Sequence, residues 1–185
     1  MVIQLNRGGE FMVKSILQTI EQLYNGDFGY ILMNYVDKNI WFNKMTQEMK
    51  ELHVENLTDF NYSKCFTLYI TSSTHPEVST DEFIEYISQH TYLNGLLVYI
   101  SAIGPFAAIK YVRYEYVDGN VGMREQYEPF DKETEQISKD VFNLLDSRGI
   151  RVLEKNILDI EVPNISLELK EENVTIFHCL FEDSY

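Results

Sequence analysis

The sequence predicts an α+β fold, a mostly antiparallel sheet with helices packed on one side, and three observations carry that prediction. First, 45% of the 185 residues are hydrophobic, including 13 Tyr and 11 Phe, although the net charge is −14. Such a chain can bury a core and keep its charge on the surface. Second, segments with helical spacing and segments with strand alternation are interspersed along its length. Third, hairpin signals join neighbouring strands, and strands joined by tight turns run antiparallel.

The elements follow in order. Arg7-Gly8-Gly9-Glu10-Phe11 precedes a second methionine, Met12. Gly-Gly-Glu is how a bacterial ribosome-binding site reads when translated, and Glu-Phe is what a cloning scar leaves. Residues 1–11 are therefore expected to be a leader, disordered or not native, and 12–185 a single globular domain. Val13, Ile16, Leu17, Ile20 and Leu23 have the three-and-four spacing of an amphipathic helix ending near Asn25-Gly26. Residues 28–36 suit a buried strand or the start of a second helix. Residues 44–53 read as helix, and 65–71 as strand, because Phe66, Leu68 and Ile70 alternate with Thr67 and Tyr69.

Residues 80–90 form a helix that Ser79 can cap, with Glu82 completing a capping box. Strands are expected at 96–103 and 106–117, with Gly104-Pro105 as the turn between them. Asp118-Gly119 signals a hairpin, which returns as a strand over 121–127. Residues 132–148 form a strong helix with Ile137, Val141, Leu144, Leu145 and Phe142 inward, closed by Arg148 and Gly149. Strands at 150–153, 165–169 and 174–181 complete the chain, the last as an interior strand because it is the most apolar.

Composition narrows the functional classes. The chain has two cysteines, Cys65 and Cys179, and they make neither a disulfide framework nor a zinc motif. The N-terminus lacks the pattern of a signal peptide, and the uncharged stretch 90–109 is interrupted by Asn94, Gly95 and Gly104-Pro105, so a cytoplasmic protein without a membrane span is expected. With 15 Lys and Arg against 29 acids, the chain is poorly suited to neutralise phosphates, which argues against direct binding of nucleic acid. Acid excess instead favours a basic protein partner.

The chemistry-bearing residues make no catalytic signature. His53, His75, His90 and His178 show no metal-ligand spacing, and no metal or cofactor is expected. His178 and Cys179, if in a strand, point to opposite faces and cannot form a nucleophile–base pair. No phosphate loop, dinucleotide fingerprint or nucleophile elbow occurs. The densest acidic stretch contains Glu125, Glu128, Asp131, Glu133 and Glu135, with Tyr127 and Phe130 inside it. Acids at a helix start complement the dipole. Carboxylates interleaved with aromatics can also steer and anchor a basic partner, which makes these seven residues the candidate binding site. A second acidic group, Glu168, Glu171, Glu172, Glu182 and Asp183, flanks the last apolar run.

Gly149-Ile150-Arg151-Val152-Leu153, the stretch 158–163, and Thr175-Ile176-Phe177-His178-Cys179-Leu180-Phe181-Glu182-Asp183 resemble small bacterial proteins of the polymorphic-toxin immunity type. The resemblance covers about a quarter of the chain. It implies a small, acidic, cytoplasmic α+β protein that blocks a toxin by occlusion, without catalysis. The alternatives are a small-molecule-binding domain or enzyme whose site is assembled from distant strands, and a structural or phage-derived oligomeric protein.

Overall fold

Alternation along the strands decides the architecture. In the computed structural model, which describes residues 7–182 apart from 25, 27 and 169, β1 (His53–Asn56), β2 (Cys65–Thr71), β3 (Tyr92–Ser101), β4 (Phe106–Val117) and β5 (Asn120–Gln126) form an antiparallel sheet in that order. A short sixth strand, β6 (Arg151–Val152), pairs in parallel with the start of β4. The fold is α+β, with a mostly antiparallel sheet, as the sequence predicts.

The helices cover both faces of the sheet, not one. Cys65, Tyr69, Leu97, Tyr99, Val112 and Tyr114 face one side. There they meet α1 (Arg7–Tyr24) through Ile16 and Ile20, α4 (Asp81–His90) through Phe83 and Ile87, and the short helices α6 (Lys155–Leu158) and α7 (Ile176–Leu180). Phe66, Leu68, Ile70, Leu96, Val98 and Ile100 face the other side. That side packs on Trp41 and Met45 of α3 (Ile40–Glu48) and on Ile137, Val141 and Leu145 of α5 (Lys132–Ser147). An antiparallel sheet can leave one face to solvent, but here Thr67 and Tyr69 lie buried on the second face. Every residue of β2 is buried, the mark of a strand sandwiched between two helical layers.

Local signals place several element ends. Asp118 and Gly119 both have positive φ, 52° and 85°, and Val117 pairs with Asn120, so β4 and β5 are joined by the two-residue turn expected of Asp-Gly. Gly149 (φ 73°) closes α5: its N–H bonds to the Asp146 carbonyl, and the Ile150 N–H reaches back to Leu145, both at 2.9 Å. That is a Schellman motif, with Ile150 returning to the core beside Leu145. At α4 the cap is Thr80, whose hydroxyl accepts from the Phe83 N–H at 3.2 Å, while Ser79 takes a left-handed conformation (φ 70°).

Other expectations are corrected. Of the leader expected to be disordered or not native, residues 7–11 lie within the helix α1, while residues 1–6 lie outside the described residues. Residues 28–36, expected as a buried strand or the start of a second helix, take the helical alternative as α2 (Phe28–Tyr35). His53 falls in β1, after the helix expected over 44–53 has ended at Glu48. Phe142 is 47% exposed, not inward. The run 174–181 is helical over Ile176–Leu180, and all five of those residues are buried. A short segment apolar all round fits a buried helix as well as a strand, so periodicity could not separate the two. The stretch 165–169 contributes only a bridge between Leu167 and Lys170, and residue 169 is outside the described residues.

Candidate functional site

A groove on this molecule follows from how β4 is shared. One edge of β4 is occupied by β3 from Tyr92↔Glu115 to Ile100↔Ala107, so β5 and β6 must divide the other edge. The parallel β6 pairs with Phe106 and Ala107, and β5 starts its pairing at Tyr111. Between these partners, at 108–110, the surface opens into a groove of about 1420 Å³. Ile109, Tyr111 and Val152 contribute to its lining from the sheet, Phe142 and Lys139 from α5, Tyr127 and Glu128 from the end of β5, and Glu154, Lys155 and Asp159 from the segment around α6. Ser138 donates to the Glu135 carbonyl (2.8 Å) and accepts from the Tyr111 hydroxyl (2.7 Å), which ties the strand to the helix.

The groove combines apolar surface with carboxylates. Its lysines are held locally, Lys139 by Glu135 at 2.6 Å and Lys155 by Asp159. The Lys155 ammonium also stands 5.6 Å from the Tyr127 ring centre. With both lysines paired, Glu128 and Glu154 set the sign of the rim. Burial pushes the Tyr127 hydroxyl up to about 12, helped by the charges of Asp159 and Glu125, so it is a neutral hydrogen-bonding group at physiological pH.

The seven candidate residues do not form one patch. Tyr127 and Glu128 line the groove. Glu125 bonds to Lys110 at 2.9 Å on the opposite face of the sheet, where the Lys110 ammonium also lies 4.4 Å from the Phe177 ring centre. Phe130 is covered by guanidinium groups, Arg113 at 4.5 Å and Arg124 at 5.2 Å. Glu133 lies exposed in the first turn of α5, and Glu135 is the partner of Lys139. Of the second acidic group, Asp183 lies outside the described residues.

Asp131 has a structural role. Its carboxylate caps α5 by accepting from the Thr134 N–H at 2.8 Å, and Asn94 of β3 donates to it at 2.6 Å. Burial raises its pKa, but the bonds from Thr134 and Asn94 and the Arg113 charge outweigh burial and hold it below the usual 3.8. A depressed folded-state pKa stabilises the fold above the unfolded pKa, and that contribution disappears as pH falls through the folded value. Asp131→Ala is therefore expected to cost about 1 kcal/mol at neutral pH by urea denaturation, and the difference from wild type should shrink as pH falls through the lowered folded-state pKa.

The cysteines are structural. Both are free and buried, and burial pushes both thiols up to about 12, far from a reactive thiolate. His178 sits in α7 with Cys179, and its Nδ1 accepts from the Thr175 N–H at 3.1 Å, which commits that nitrogen to the helix start.

Two histidines that looked unrelated in sequence meet in space. His53 and Glu55 alternate onto the same face of β1, and the loop after β2 brings His75 against them. The His53 and His75 ring centres are 4.3 Å apart, and one donor atom from each of His53, Glu55 and His75 lies within 4.8 Å of the others. Glu55 accepts from the Val78 N–H through both carboxylate oxygens, at 2.9 and 3.2 Å. Burial holds both imidazoles below their ordinary pKa and raises that of Glu55. The His-x-Glu alternation was the available signal, but the third member stands in a loop whose path no local pattern predicts.

Among the described residues, no helix is long and apolar enough to cross a membrane. Compared with known protein families, with curated proteins and with solved structures, the chain matches none of them.

Proposed function

We propose that this chain is a non-enzymatic acidic binding protein of the immunity type, which occludes a basic protein partner through the groove beside β4. The observation that carries the reading is the conjunction of an apolar groove with an unbalanced charge. Exposed Phe142 and half-buried Tyr127 offer anchor surface, Glu128 and Glu154 stand at the rim, and the whole chain carries −14. Aromatic anchors inside a polar rim are the usual distribution of binding energy in protein interfaces. Net negative charge raises the encounter rate with a basic partner and makes that rate sensitive to salt.

The test compares two baits on lysate of the source cell at low salt: the wild-type chain, and a variant carrying Glu128→Lys and Glu154→Lys. Wild type is expected to retain a basic protein that elutes as salt rises, and the variant to bind it at least about tenfold more weakly. Equal retention by both baits, or a complex indifferent to salt, would contradict the proposal.

A further inference from the structure

We propose that His53, Glu55 and His75 form a binding site for a divalent transition-metal ion, with zinc the best match to their donor set. The argument starts from His75. Its Nδ1 lies 2.7 Å from the Pro76 carbonyl oxygen, which can only accept, so Nδ1 carries the proton and Nε2 the lone pair. His75 is only 6% exposed, and Nε2 is buried without a hydrogen-bond partner. A buried acceptor left unsatisfied is costly, so this nitrogen requires a partner. An imidazole that gives its Nδ1–H to a backbone carbonyl and keeps Nε2 available as a ligand has the arrangement seen in metal-bound histidine.

The surroundings supply the rest of the site. Glu55 is oriented by the Val78 N–H, and Phe83 and Tyr86 of α4 wall the His75 ring, with centres 5.6 and 6.3 Å away. Two imidazoles and one carboxylate select zinc and its neighbours over calcium or magnesium, which take oxygen ligands. Three protein ligands leave a fourth position for water. The Tyr69 hydroxyl is also buried without a partner, and its ring centre is 5.3 Å from that of His75. It supplies a hydrogen-bonding group for that water. A bound ion would join the edge strand β1 to the loop leading into α4.

Calorimetric titration of the full chain with Zn²⁺, and with Co²⁺ as a spectroscopic probe, tests the site. We expect one ion per chain, a visible Co²⁺ absorption of four-coordinate intensity, and an upward shift of the melting temperature with Zn²⁺. His53→Gln and Glu55→Gln should each weaken binding by about tenfold or more, while Glu133→Gln, exposed in the first turn of α5, should leave it unchanged. His53 is half-exposed, so its replacement is compatible with folding, and the wild-type Co²⁺ spectrum needs no variant at all. Absence of one-to-one binding would assign the orphaned nitrogen to water and overturn the proposal. Binding that persists equally in the His53 and Glu55 variants would do the same.

Discussion

Phe83→Ala is expected to destabilise the fold by about 3–5 kcal/mol, among the largest effects of any single substitution in this chain. Phe83 is 1% exposed and stands edge-on to Tyr114 at 5.1 Å and to His75 at 5.6 Å. It is the first buried residue of α4, one turn after the Thr80 cap, and with Ile87 it pins that helix to the sheet. Truncation removes the transfer free energy of the ring and leaves a cavity among groups held by the sheet, which can collapse only partially. Urea denaturation measures the loss, and hydrogen exchange should show α4 opening first. A loss under about 1 kcal/mol would mean that α4 does not depend on this contact.

Gly95→Ala is the second large effect, and it arises from too little space. A methyl group at Gly95 would lie 2.5 Å from a Tyr69 ring carbon, 2.7 Å from the Thr71 methyl and 2.9 Å from the Ile70 carbonyl oxygen. The tyrosine and threonine can shift, but the carbonyl belongs to the backbone of β2, so the substitution must push the central strands β2 and β3 apart. Overpacking of this kind costs about 1–3 kcal/mol, and Gly95→Val should cost more. The same glycine leaves room for the Tyr69 ring beside His75. Gly95→Ala should therefore also weaken Zn²⁺ binding, a coupling that destabilisation elsewhere would not produce. Full stability in Gly95→Ala would contradict the packing of β2 on β3.

Features with a local cause were legible in the sequence. Asp118-Gly119 sets a turn by its own conformational preferences, Gly149 ends α5 because glycine takes positive φ without strain, and alternation marks β2 and β4 to their observed ends. Features decided by distant packing were not. Tyr69 and Thr67 have a polar atom each, yet the helical layer over their face buries them. The run from Ile176 to Leu180 is buried on every side, which erases the periodicity that distinguishes helix from strand. The acidic stretch looked like one patch because its residues are close in the chain. Alternation in β5, the capping role of Asp131 and the arginines over Phe130 divert most of them. The groove's other wall comes from α5 and the residues after β6, which no reading of 125–135 could supply.

A basic protein seated in the groove beside β4, as proposed, would leave its footprint on the backbone amides there. Hydrogen exchange on the complex with the captured protein tests that placement most directly, because it reports where the partner sits as well as whether it binds. New protection is expected at Tyr127 and Glu128, over the end of α5 around Phe142, and from Glu154 to Asp159, all diminishing as salt releases the partner. Protection confined to the opposite face of the sheet, or to the free edge of β1, would contradict it.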